Sequence, residues 1–248
     1  MVGPPVHESA PMSVPMPAFP DDAAWHGGAP VHVELLGPAG RLEAIVEAAE
    51  GEAPAQPVVA VFCHPLTTEG GTLHNKVVTM GCRALRELGV TTVRFNFRGA
   101  GRSEGTFDEG EGESADLRAV VDWVRTQRPG HRLWLAGFSF GAYVSIRNAA
   151  ALDPSLLISI APPAGRSWDF AAMPLYTGPW LGVQGEADEI VEPEKVYRWL
   201  EHIADERPAP TLVKVPDTSH FFHGKLMDLR GAIRANARPY LPVQAAHG

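Results

Sequence analysis

Two hydrophobic periods alternate along this chain, and that alternation restricts its possible folds more than any other feature. The runs "VVAVFCH" (58–64), "TTVRFNF" (91–97), "RLWLAGF" (132–138), "LLISIA" (156–161), "WLGVQG" (180–185) and "TLVKV" (211–215) read as strands, and the first is continuously apolar, as expected of a central parallel strand. Between them apolar residues recur at helical spacing. The first such stripe is Val77, Gly81, Ala84, Leu85 and Leu88, closed by Gly89. The next is Leu117, Val120, Val121 and Val124, with Ser114 as candidate cap. Residues 140–151 follow, then Val196, Tyr197, Leu200 and Ile203 behind Pro193, then Leu226, Leu229 and Ile233. Strands alternating with helices build a parallel sheet covered on both faces. Ahead of them "VHVELL" (31–36) and "RLEAIVEAA" (41–49) flank Gly37-Pro38-Ala39-Gly40 and read as a hairpin. The expected fold is α/β: one open, twisted, mostly parallel sheet of about seven to eight strands with helices on both faces. Such sheets bind ligands beyond the carboxyl ends of their strands.

The chain has 248 residues, which suits one α/β domain over 29–242 behind a poorly ordered leader (1–28) rich in Pro, Ala and Met. The net charge of −8 argues against nucleic-acid and anionic-membrane partners. Cys63 and Cys82 read as buried free thiols of a reducing compartment. "MVGPPVHESAPMSVPMPAF" lacks the basic region and continuous apolar core of a signal peptide, and no stretch reads as a membrane span. The expectation is a cytoplasmic protein, a monomer or small homo-oligomer, acting on a small molecule.

The strand at 132–138 runs straight into Gly137-Phe138-Ser139-Phe140-Gly141, with a helical pattern after it. Gly-x-Ser-x-Gly alone is a weak pattern, and a tight turn that happens to contain serine is its bland reading. Between a buried strand and a helix it becomes specific. The sharp turn lifts the serine hydroxyl clear of the sheet, glycines on either side leave space for crowded backbone, and the helix N-terminus favours developing negative charge. A serine hydroxyl needs an adjacent base, and the base needs an orienting carboxylate.

On these residues, and on "CHPLTTEGGTLHNKVV" (63–78), "RFNFRGAGRSEGTFDEGEGE" (94–113), "QGEADEIVEP" (184–193) and "SHFFHG" (219–224), the chain over about residues 30–240 resembles the α/β-hydrolases. It is most similar to the lidless bacterial serine hydrolases related to dienelactone hydrolases. The chain order of that fold is Ser, then Asp or Glu, then His. The resemblance implies Ser139 as nucleophile, Asp188 as orienting acid (from Gly185-Glu186-Ala187-Asp188) and His220 as base. Glu186 and Glu189 are rivals for the acid and His223 for the base, and a solvated acidic loop is the bland reading of 186–192. The backbone N–H groups of Leu66 and Phe140 are the expected oxyanion donors. Relatives often carry His where Gln184 stands, a departure expected to touch the strand end and not the catalytic residues. The implied activity is hydrolysis of small soluble carboxylic esters through an acyl-enzyme, with no cofactor and no metal. Thioesterase, amidase or peptidase chemistry would use the same residues. A non-catalytic binding protein on this fold is a further alternative, as is dienelactone hydrolysis proper, which calls for cysteine at the elbow.

Two features tempt other readings. His220-x-x-His223 suggests a metal but has no third ligand at suitable spacing. Gly99-x-Gly101 follows a strand, yet Glu104 occupies the position of the third fingerprint glycine, so dinucleotide binding is a poor reading. The acidic "DEGEGE" (108–113) reads as a solvated loop. Of the aromatics, Phe140 and one of Phe221 and Phe222 are expected to reach the cleft. Phe138, Trp168 and Phe170 are ambiguous between cleft and core. Only "PPAGRSWDFAAMPLYTGP" (162–179) separates two strands where many relatives insert a cap, and eighteen residues with four prolines cannot build one.

Overall fold

The computed structural model describes residues 17–19 and 27–243. The first two strands, β1 (Val31–Gly37) and β2 (Gly40–Glu47), form the expected antiparallel hairpin. The other strands are β3 (Val58–Cys63), β4 (Thr91–Phe95), β5 (Arg132–Phe138), β6 (Leu156–Ile160), β7 (Trp180–Gly185) and β8 (Thr211–Val215). They form one eight-stranded sheet in the order β1-β2-β4-β3-β5-β6-β7-β8. β2 meets β4 antiparallel, and every pair from β4 to β8 is parallel. The helices are α1 (Lys76–Arg86), α2 (Glu111–Gln127), α3 (Phe140–Leu152), α4 (Pro193–Ile203) and α5 (Leu226–Ala237).

Strand periodicity sorts the core into two layers. Val59, Val61, Val93, Phe95 and Leu135 face α2, α3 and α4. Val58, Ala60, Phe62, Trp134 and Ala136 face α1 and α5. Consecutive strand residues enter opposite layers, which is why central β3 is apolar throughout. Cys63 and Cys82 are both free and buried, and burial pushes the Cys63 thiol up to about 12.

α1 is capped by Asn75, whose side chain accepts the Val77 and Val78 N–H groups, and it is closed by Gly89 as expected: Gly89, at φ 88°, donates to the Arg86 carbonyl while Val90 donates to that of Leu85. Two local expectations are revised. α2 starts at Glu111, ahead of Ser114. Its N-terminus is built from the buried Glu113 carboxylate, which accepts the N–H groups of Asp108 (2.9 Å) and Gly110 (2.7 Å). Ser114 instead donates to the Gly110 carbonyl. Within "DEGEGE" only Asp108 and Glu109 fit a solvated loop, because Glu111 opens α2 and Glu113 is buried.

Part of the leader also docks on the domain. Trp123 Nε1–H donates to the Pro17 carbonyl (2.9 Å), the Phe19 ring lies 5.1 Å from that of Trp123, and the Arg128 guanidinium covers it. The rest of 1–26 lies outside the described residues. Among the described residues, no helix is long and apolar enough to cross a membrane.

Candidate active site

The candidate residues come from three loops at the carboxyl edge of the sheet, after β5, β7 and β8. Ser139 sits between β5 and α3 at φ 53° and ψ −119°, a backbone conformation that non-glycine residues rarely adopt. The turn is held on both sides. The Ser139 N–H donates to the Ile160 carbonyl at the end of β6 (2.9 Å). A Cβ on Gly137 would lie 2.2 Å from the Gly141 carbonyl oxygen, and one on Gly141 would lie 2.3 Å from that of Cys63. The two glycines are therefore required by close packing of strand against helix.

His220 Nε2 lies 3.0 Å from Ser139 Oγ, and His220 Nδ1 lies 2.8 Å from Asp188 Oδ2. The imidazole is 2% exposed and the carboxylate side chain fully buried. Asp188 Oδ1 accepts the N–H groups of Ile190 (2.9 Å) and Val191 (2.7 Å), so the loop that carries the carboxylate also orients it. Of the rivals, Glu189 accepts the backbone N–H of His220 (3.1 Å), and Glu186 is exposed. His223 is exposed in the turn ahead of α5 and does not start that helix. Among the described residues, no group of three or more His, Cys, Asp or Glu side chains could hold a metal ion.

Leu66, Ser139, Phe140 and His220 open onto one cavity of about 530 Å³. Phe140 is the first residue of α3, so its N–H has no acceptor within the helix. The loop bearing Leu66 is pinned at both ends by side chains and backbone around the end of β4. Buried His64 accepts the Phe97 N–H on Nε2 (3.0 Å), which leaves Nδ1–H to donate to the Pro65 carbonyl (2.6 Å). Burial drives the His64 pKa down to about 4, so it is neutral at ordinary pH. Asn96 Oδ1 accepts the Leu73 N–H (2.8 Å), and Arg94 donates to the Leu73 carbonyl (3.0 Å). Sequence reasoning gave His64, Arg94 and Asn96 no role, although the first lies in "CHPL" and the other two in "RFNF".

Phe140, Trp168 and Phe221 line the cavity, whereas Phe138 and Phe222 are fully buried in the core. Phe170 packs on Trp199. The segment 97–105 is knitted to the hairpin: Ser103 Oγ accepts the Glu43 N–H, and Glu104 accepts that of Arg41. The structure also corrects the expectation for Gln184. This buried residue reaches the candidate acid directly, donating from Nε2 to Asp188 Oδ2 at 3.0 Å.

Eight strands in this order with a serine at this turn define an α/β-hydrolase, and the chain belongs to the alpha/beta hydrolase family, whose model matches residues 60–219. Among solved structures it is similar to XC6422 from Xanthomonas campestris, described as an a/b serine hydrolase without lid. The two are 57% identical with a TM-score of 0.85, over 92% of this chain and 100% of that one. An alpha-beta serine hydrolase homologue from Coxiella burnetii is 42% identical with a TM-score of 0.78, over 83% of this chain and 96% of that one. The uncharacterized protein RP471 of Rickettsia prowazekii (strain Madrid E) is 31% identical over 206 residues, covering 79% of this chain and 84% of that protein. The chain is thus an α/β serine hydrolase of the lidless kind. Its β6–β7 connection, residues 161–179, contains neither helix nor strand.

Proposed function

We infer that the protein hydrolyses small soluble carboxylic esters through an acyl-enzyme on Ser139. The observation that carries this reading is the unbroken chain Ser139 Oγ–His220 Nε2 (3.0 Å) and His220 Nδ1–Asp188 Oδ2 (2.8 Å), opening onto a cavity shared with Leu66 and Phe140. Ser139 Oγ attacks the carbonyl carbon while its proton passes to His220 Nε2. Asp188 holds the proton on Nδ1 and stabilises the imidazolium. The carbonyl oxygen takes up the negative charge against the Leu66 and Phe140 N–H groups, at the N-terminal end of α3. Collapse breaks the bond to the leaving oxygen, which receives the proton from His220 and departs as an alcohol. Water, deprotonated by His220, then attacks the acyl-enzyme, releasing the carboxylic acid and restoring Ser139.

Leu66, Trp168 and Phe221 line the same cavity as Ser139 and offer apolar wall to an acyl group of modest size, beside polar wall from Asn75, Arg166 and Glu189. Matched ester, thioester and amide substrates, turned over side by side, distinguish esterase from its neighbouring chemistries. The first test is intact mass after exposure to a fluorophosphonate. One adduct is expected on the full chain and none on Ser139→Ala. A folded wild-type protein that stays unlabelled would overturn the hydrolase reading in favour of a binding role.

A further inference from the structure

Gln184 is the penultimate residue of β7, four residues ahead of Asp188, and its side chain is completely buried. Its Nε2 has two acceptors, the Gly185 carbonyl (3.2 Å) and Asp188 Oδ2 (3.0 Å). Its Oε1 is buried without a donor among the described residues. Burying an amide oxygen unpaired is unfavourable, so the orientation that strands it needs a cause. Turning the amide over would not help. Oε1 would then face the Asp188 carboxylate, and Nε2 would take the place without a partner. The carboxylate is what fixes the amide.

The converse also holds. Asp188 Oδ1 takes two backbone N–H groups, and Oδ2 takes Gln184 Nε2–H together with His220 Nδ1–H. A carboxylate has about four lone-pair positions, and here four donors use them. Without Gln184 the two backbone donors still hold Oδ1, but the carboxylate can pivot about that oxygen, carrying Oδ2 away from His220. We propose that Gln184 is a positioning residue for the hydrolytic reaction, holding Asp188 Oδ2 where His220 Nδ1 needs it. This rests on the catalytic roles proposed above. Gln184 acts through Asp188, so it governs steps in which the imidazole gains or loses a proton and leaves substrate binding alone.

The test uses the full chain with p-nitrophenyl acetate as probe, active sites counted by fluorophosphonate labelling, and melting temperatures recorded beside the kinetics. Gln184→Met keeps the volume and removes both the donor and the stranded acceptor. Its expected kcat falls roughly tenfold, the loss of one hydrogen bond to a charged group, with KM unchanged. Its melting temperature stays close to that of wild type, because removal of the stranded Oε1 offsets the donor lost to the Gly185 carbonyl and Asp188 Oδ2. Gln184→Glu places a second carboxylate against Asp188 and falls further. Gln184→His returns an N–H donor and recovers part of the loss. A Met variant with kcat within twofold of wild type would overturn the proposal. So would a kcat loss explained by the fraction of sites still titrating, or a His variant no better than Met. Wild-type protein that neither labels nor turns over would instead be a failure of the hydrolase reading itself.

Discussion

At the scale of single residues, the site is organised by groups that cannot rearrange cheaply. Ser139 is held in its strained conformation by glycines that admit no Cβ and by a hydrogen bond to β6. His64 shows the same rigidity with a measurable consequence. Its imidazole is fully buried, accepts an N–H on Nε2 and titrates near 4 rather than 6.5. Between these values the unfolded chain binds a proton that the folded protein refuses, so stability falls as pH drops through that window. The contribution between pH 7 and pH 5 is about 2 kcal/mol. Denaturant unfolding at both pH values should show His64→Asn losing less stability on acidification than wild type. Equal losses would show that burial does not keep His64 neutral. Glu43 acts at lower pH. Burial pushes Glu43 up, but hydrogen bonds from Arg102 and Asn96 outweigh it and hold the carboxyl below its usual range.

At the scale of elements, the strands, the Gly89 close of α1 and the Pro193 start of α4 were legible, and the start of α2 was not. A strand buried on both faces announces itself through a largely apolar run, and β7 falls where "WLGVQG" places it; edge strand β8, with only Val215 buried, still falls at "TLVKV". The start of α2 escaped because its stabilising group is the third helical residue, Glu113, folding back onto N–H groups that precede the helix. An acidic run in sequence does not distinguish such a carboxylate from solvated neighbours. Replacing Glu113 by Ala orphans two N–H groups, at Asp108 and Gly110, and should cost about 1–3 kcal/mol in denaturant unfolding. Glu109→Ala, exposed in the same run, should fall within about 0.5 kcal/mol of wild type. Comparable losses in both variants would remove the capping role. Phe19 escaped for a related reason. A Pro-rich leader carries no period, and its seat between Trp123 and Arg128 exists only once α2 has formed.

At the scale of the molecule, the short β6–β7 connection decides how substrate arrives. Aromatic contacts fasten it: Trp168 packs on Phe140 (4.8 Å) and Tyr143 (5.0 Å), and Phe170 on Trp199 (4.7 Å). Tyr176 donates its hydroxyl proton to the Pro154 carbonyl. A connection anchored at this many points is a fixed wall of the cleft. Turnover of p-nitrophenyl butyrate should therefore follow a simple hyperbola, with no jump as the ester passes its solubility limit. A jump would mean that residues 161–179 move to admit substrate.

What the sequence by itself determined is what local pattern can encode. Alternating periods set the layers, and Gly-x-Ser-x-Gly after a buried strand set the nucleophile turn. The rest depended on which distant side chains the sheet brought together. His220 lies 81 residues from Ser139 and 32 from Asp188, and no local period encodes those contacts. Tertiary packing alone decided that Phe221 borders the cavity while Phe222 enters the core, since adjacent residues in an irregular turn carry no face preference. It likewise decided that Gln184 touches Asp188. A polar residue near the end of a strand reads as an edge until the loop behind it turns back over its side chain.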